Sequence, residues 1–283
     1  MRTEMRVEIV FAVFLLSAKI VLAASSSIPT TLFVSTNIAR QVMSESSSRK
    51  TKTIAQPCRA AVVNHHVLAA DVIARLVQTI RNCHDLKRAI ILSPDHYQAS
   101  IAPIVTHRHA YRVDDISMPV DEEGIDRLLK TVGVAREDDR SYWQAEHGVG
   151  AIVPFLAQVS TSTKILPVVV RATITLEQSK QLSRWLANEM KRGAFVLVSS
   201  DMSHYLPERQ ALANDRKTMA AFARRDAGFF AKSNDDYTDN GKSIAAMMSA
   251  LGRTSWQIVG HSISTKYDGA PGYTTSYVTG VWK

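Results

Sequence analysis

At 283 residues, 46% hydrophobic and 21% charged, the chain has the composition of an ordinary globular protein and room for one large domain or two small ones. Its net charge of +8 comes from scattered cations such as Arg216, Lys217, Arg224 and Arg225, set near acids such as Asp215 and Asp226. No basic stripe with interleaved aromatics is present, which argues against a nucleic-acid partner, and no linker or internal repeat divides the chain.

The N-terminus comes first. Arg2 and Arg6 precede an apolar run over residues 9–18, and Val21 and Ala23 fit the small-residue positions before a cleavage site. Residues 1–24 therefore read as a secretory signal peptide. An uncleaved membrane anchor is the alternative, although Glu8 and Lys19 interrupt the run. Either reading predicts an extracytoplasmic or membrane-anchored protein, with membrane association through the N-terminus. Residues 25–56 are rich in Ser and Thr and are expected to form a loosely ordered lead-in. The remainder, 57–283, is expected to be one domain.

From Arg59 onward the pattern alternates. Apolar runs suited to buried strands cover residues 60–64, 89–93, 165–170, 195–199 and 258–262. Helical stretches lie between them at 69–81, 148–157, 176–190, 209–225 and 242–251. In the first, Val72, Ile73, Leu76, Val77 and Ile80 share one face. Strands alternating with helices predict an α/β fold, with a mainly parallel central sheet and flanking helices. Residues 101–116 read as a hairpin excursion, and 275–282 as a last strand near an edge. Cys58 precedes the first strand and Cys83 ends the following helix. Their spacing is not a zinc pattern, and both a disulfide and two unrelated thiols fit it.

Ligands of open α/β sheets bind beyond the carboxyl ends of the strands. Three of the five strand runs deliver a histidine there: His65 and His66 after the first, His96 after the second, and His204 after 195–199. A further histidine, His147, begins a helix behind Glu146. Neutral imidazole is the commonest transition-metal side-chain ligand. His65 and His96 are therefore candidate ligands, with a carboxylate or amide as the third. His204 is a candidate general acid/base, oriented by Asp201 through its other ring nitrogen. The bland alternative makes these histidines loop braces, and that reading is preferred for His84, His107 and His109. No HExxH or CxxC motif decides between them. Ser199-Ser200-Asp201 lacks the glycines of a nucleophile elbow, and the glycines Gly269 and Gly272 mark a turn, not a phosphate loop.

Taken in order, Asn64-His65-His66, Ser93-Pro94-Asp95-His96, Glu146-His147 with Pro154-Phe155, and Ser199-Ser200-Asp201 with Ser203-His204-Tyr205 resemble the MEMO family, also called AmmeMemoRadiSam system protein B. The resemblance runs from about Arg59 to the C-terminus, and Thr275-Ser276-Tyr277 is similar to its bacterial branch. It implies a single-domain fold similar to class III extradiol dioxygenases, which bind non-haem Fe(II) through two histidines and a glutamate and use a further histidine as acid/base. MEMO proteins keep that cleft and are described as binding iron or copper. By position, the resemblance makes His65 and His96 metal ligands, gives His204 and Asp201 the acid/base place, and has His66, Glu146 and His147 line the cleft.

One departure stands out. MEMO proteins commonly supply a cysteine as third ligand, and here Asn240 falls at that position, with Asp239 beside it as the better donor. Losing the thiolate disfavours copper(I). A His65/His96/Asp239 set would favour Fe(II), with Zn(II), Mn(II) or Cu as other candidates. Two functions are expected: a metal-dependent oxidoreductase related to the dioxygenases, or a non-catalytic metal- or ligand-binding protein. The partner, a small molecule or a protein, is unknown.

Overall fold

Burial on both faces decides which segments form the centre of the sheet. In the computed structural model, which describes residues 27–30, 33–48, 57–138, 141–269 and 272–283, strands β2 (Ala60–Val63), β3 (Arg88–Pro94), β8 (Lys164–Val170) and β9 (Phe195–Ser199) are buried along almost their whole length. Side chains alternate across a strand, so each run is sorted residue by residue. Ala61, Val63, Ala89, Ile91 and Leu197 enter one core, while Ala60, Val62, Ile90, Leu92 and Val198 enter another on the opposite face. An apolar strand without polar alternation is what a covered parallel sheet requires.

The eight-stranded sheet has the order β10-β11-β2-β9-β3-β8-β4-β7, with β4 (Ile104–Thr106), β7 (Ala135–Glu137), β10 (Trp256–Ile263) and β11 (Ser276–Trp282) completing it. The four central strands are mutually parallel. Antiparallel partners flank them: β11 on β2, and β4 on β8. The last strand therefore lies one place in from the edge, under β10. Residues 101–116 divide between two sheets: β4 joins the main one, and β5 (Ala110–Val113) and β6 (Ile116–Met118) form an antiparallel hairpin in a small second one.

One core is closed by α1 (Thr36–Ser48), α2 (Ala70–Arg81), α4 (His147–Gly150) and α5 (Val153–Ala157). The other is closed by α3 (Glu122–Thr131), α6 (Leu176–Lys191), α7 (Glu208–Arg224), α8 (Ala227–Lys232) and α9 (Gly241–Ala250). Ile73, Leu76 and Ile80 of α2 are fully buried, each stabilising the fold by about 1.5–3 kcal/mol. The helix predicted over 148–157 is two helices. Pro154 lies in the first turn of the second, where its missing N–H is tolerated but could not have continued the first.

Of two expectations about the N-terminal third, one is untouched and one changes. The predicted leader, 1–24, lies outside the described residues, and among the described residues no helix is long and apolar enough to cross a membrane. The stretch 25–56 is not a loose lead-in throughout: β1 (Ser27–Pro29) pairs in parallel with β5, and α1 buries Ala39 and Met43 in the core. The Ser/Thr content hid this helix, whose apolar face is short but correctly spaced. Cys58 and Cys83 are disulfide-bonded, with Cα atoms 5.4 Å apart, and clip the start of β2 to the end of α2.

Candidate metal centre

Three parallel strands end side by side, and their loops carry the histidines. His65 follows β2 and His96 follows β3, while β9, lying between them, delivers Asp201 and His204. Asp239 enters from the turn before α9.

His65 Nε2 and His96 Nε2 face each other at 3.0 Å. The far side of each ring is fixed. His96 Nδ1 donates to Glu146 Oε1 at 2.6 Å, and His65 Nδ1 lies 2.9 Å from Ser199 Oγ. A nitrogen donating to a carboxylate carries the proton, so the tautomer that donates from Nδ1 turns the Nε2 lone pair of His96 inward. Asp239 Oδ2 adds an acceptor 3.2 Å from His65 Nε2 and 3.9 Å from His96 Nε2. Its own carboxylate is held by Ser200 Oγ, which donates to Oδ1 at 2.9 Å. The His147 ring stacks on His96 with centroids 4.0 Å apart, and one nitrogen each of His65, His96 and His147 fit within 4.8 Å.

This donor set fits a divalent ion. Acceptor atoms this close repel one another unless a proton or a cation lies between them. A separation of 3.0 Å also suits two neighbouring nitrogens on one ion about 2.1 Å from each. Without an ion, a proton takes the place. Burial opposes charging His65, but the carboxylates of Asp201 and Asp239 outweigh it and push the pKa up to about 9. His147 goes the other way: burial, then His96 and His65 beside it, lower its pKa to about 4 and keep its ring neutral. Burial would raise the Asp239 carboxyl, yet the surrounding histidines, His65 first, hold it below the usual range.

Glu146 organises one side of the site from complete burial. It caps α4 by accepting from Gly148 N, and it also accepts from His96 N and Ser93 Oγ. Gly148 is required there, because a Cβ would overlap Ser93 Oγ where α4 crosses β3. Sequence reasoning placed Glu146 and His147 only as cleft lining. Their adjacency at a helix start was the available signal: a capping carboxylate that also reaches a histidine.

The predicted Asp201–His204 pair does not form. Asp201 Oδ1 accepts from the backbone N–H groups of His65 and His66, at 3.0 and 3.4 Å. His204 Nδ1 is buried without a partner, and its Nε2 stands 3.8 Å from Asp239 Oδ2. The β2–α2 turn has bare N–H groups close to Asp201, and backbone donors won the competition for this carboxylate. Asn240, which the resemblance sets at a cysteine's position, has its amide nitrogen engaged away from the histidines. Its amide nitrogen donates to Leu92 O and Ser199 O, at 3.1 and 2.8 Å, tying β3 to β9. His66 lines the cleft, and its Nδ1 lies 2.6 Å from the hydroxyl of buried Tyr277, a pairing across 211 residues that no local pattern signals.

The three bland histidines are structural in different degrees. Buried His107 accepts from His109 N at Nδ1 and meets Tyr111 Oη at Nε2; burial, then His109, lowers its pKa to about 3. His84 packs its ring on Phe195, while the half-buried His109 ring stacks on His107.

Comparison with known proteins gives the family. The family described as "Memo-like protein" matches residues 36–281. The chain belongs to the Memo family. A MEMO1 family protein of Pyrobaculum aerophilum is 30% identical over 149 residues, covering 50% of this chain and 51% of that protein. Another, from Thermotoga neapolitana, is 26% identical over 172 residues, covering 58% and 60%. The matched stretch thus spans only about half of these relatives' length. A crystal structure of an uncharacterized protein from Escherichia coli K12 matches with a TM-score of 0.50 at 9% identity, over 78% of this chain and 99% of that one, and speaks to the fold alone. The Memo match begins at Thr36, the first residue of α1, so the helix missed in the sequence belongs to the family domain.

Proposed function

We propose that this Memo protein binds a divalent transition-metal ion, Fe(II) by preference, through His65 and His96, with Asp239 and His147 as further donors. The observation that carries the proposal is the 3.0 Å approach of two ring nitrogens, each oriented from behind, with a carboxylate beside them. The donors are all nitrogen and oxygen, and both cysteines are consumed by the disulfide. That set suits Fe(II), Zn(II) or Mn(II) and offers no soft ligand for copper(I). The disulfide and the leader-like N-terminus together support an extracytoplasmic or membrane-anchored location.

Such an ion supplies Lewis acidity, and iron adds electron transfer. The protein's own contribution is orientation. Glu146 and Ser199 fix the ring faces of His96 and His65, and His204 offers Nε2 at the cleft wall. This arrangement supports a metal-dependent oxidoreductase related to the extradiol dioxygenases. A second reading, a non-catalytic metal- or ligand-binding protein, is favoured by one observation: Asp201 is engaged with backbone, so no carboxylate accepts from His204 Nδ1 to orient the ring as an acid/base.

Elemental analysis after anaerobic Fe(II) loading tests the proposal, with the His65→Ala/His96→Ala double variant alongside. Near-stoichiometric metal that is lost in the variant supports it; equal metal in both, or none in either, removes it. Oxygen uptake by the loaded protein with a panel of small oxidisable substrates then separates the two readings.

A further inference from the structure

His66 is an exposed residue that is nonetheless held at every polar atom but one. Its backbone N–H donates to Asp201 Oδ1, and its carbonyl accepts from Ala69 N at 3.1 Å and Asn64 Nδ2 at 3.2 Å. Its ring Nδ1 lies 2.6 Å from Tyr277 Oη. Nε2 has no protein partner among the described residues, and the side chain lines the cleft shared by His65, His96 and His204. Fixing an exposed ring costs rotamer entropy, so the direction in which this one is fixed has a consequence for the cleft.

The clamp comes from β11. Tyr277 is fully buried and packs on Ala69 and Val72, at the start of α2 just beyond His66. Its neighbour Ser276 serves a different loop. Ser276 N donates to Ser203 O at 2.9 Å, and Ser276 Oγ accepts from Ser203 N at 3.0 Å while donating to buried Asp215 at 2.6 Å. Two consecutive residues of one strand thus brace the two banks of the cleft, one carrying His66 and the other His204.

The direction of the Tyr277–His66 bond follows from burial. A phenol has one proton, and a buried hydroxyl must place it on an acceptor. Burial, then the Asp201 carboxylate, raise the Tyr277 pKa above its usual value, so the phenol keeps that proton. His66 Nδ1 is the acceptor within reach. A neutral ring that accepts at Nδ1 carries its own proton on Nε2.

Resting on the metal-centre reading above, we infer that His66 is a ligand-binding residue of the cleft: Tyr277 fixes its tautomer, and Nε2–H donates to a carbonyl or hydroxyl oxygen on the part of a ligand that stands away from the metal donors. His65 and His96 give their lone pairs to the ion, and Asp201 and Asp239 are carboxylates, so His66 adds a donor to a site rich in acceptors. With Asp201 on the backbone of the same residue, a neutral oxygen suits this place better than a second anionic group.

Two carboxylic acids of the same length test the donor by calorimetry on the full chain loaded with Zn(II): levulinate, which has a ketone oxygen, and isocaproate, which has a methyl group in its place. Metal content is measured first. The ratio of the two affinities is expected to shift toward isocaproate by about fivefold in His66→Ala, the weight of one hydrogen bond. His66→Gln, which retains an N–H donor, keeps most of the wild-type ratio. NMR of the imidazole nitrogens in the metal-free full chain reads the tautomer directly: the proton is expected on Nε2 of His66, and the Nδ1 signal is expected to move in Tyr277→Phe. If the pair only satisfied a buried phenol, His66→Ala would lower stability and leave the ratio alone; an unchanged ratio, or binding of neither acid to the zinc-loaded wild type, overturns the binding role. A proton on Nδ1 in the wild type, or an Nδ1 signal unmoved in Tyr277→Phe, overturns Tyr277 as the residue that sets the donor. Absence of zinc from the loaded wild type is a separate failure, which overturns the metal-centre reading and leaves the tautomer to be decided by NMR.

Discussion

Glu146 holds His96 by the ring, accepting from Nδ1 at 2.6 Å while fully buried itself, and so turns Nε2 toward His65. Outer partners of this kind commonly set metal affinity by about 10–100-fold. Glu146→Gln keeps the shape but loses the charge and leaves an amide to compete for the same donors. Metal affinity, measured by competition with a chromophoric chelator, is expected to fall within that range. Affinity equal to wild type would show that His96 is oriented by packing alone.

Asp239 and Asn240 are neighbours with divided duties. Asp239→Ala is expected to lower metal affinity, since it removes the carboxylate beside His65, with little change in folding stability. Asn240→Ala leaves two buried carbonyls, Leu92 O and Ser199 O, without their donor, at a cost of about 1–3 kcal/mol. Urea melts and metal titrations of both variants separate the roles. The reverse outcome, with metal lost only in Asn240→Ala, would make the amide the ligand.

The Cys58–Cys83 bond closes a sequence separation of 25 residues that contains His65 and His66. Loop-closure entropy puts its contribution at about 3–4 kcal/mol. The Cys58→Ser/Cys83→Ser variant is expected to lose that much stability in denaturant melts. Intact mass under non-reducing conditions checks the bond directly, since reduction adds two hydrogens.

His107 predicts an acid sensitivity remote from the metal centre. Its pKa falls from 6.5 to about 3 on folding, through burial and then the nearby His109. A group protonated more readily in the unfolded chain stabilises the fold at high pH, and that stability is lost as pH falls. The loss should run from about pH 6.5 toward 3, and His107→Gln should flatten it. Parallel curves for the two proteins across that range would refute the assignment.

Much of the scaffold is legible in the amino-acid sequence. The runs read over 60–64, 89–93, 165–170 and 195–199 hold the four central strands, because a strand covered on both faces cannot afford alternation. His65, His96 and His204 stand out by their place just past strand ends, which parallel strands bring together. Less legible is α1, whose serines mask a short apolar face carrying Ala39 and Met43.

The sequence by itself determined the family, through its ordered motifs, and the parallel sheet and the strand ends where the histidines gather, through the pattern of apolar runs. Only the tertiary structure decided which donors meet. Asp239 points to His65 while Asn240, one residue on, points to Leu92 and Ser199; Asp201 serves the backbone of His65 and His66 instead of His204; Phe33 crosses over to Gly150. In each case the direction of a loop side chain is set by hydrogen-bonding groups and packing surfaces supplied from distant segments, and no local pattern carries that information.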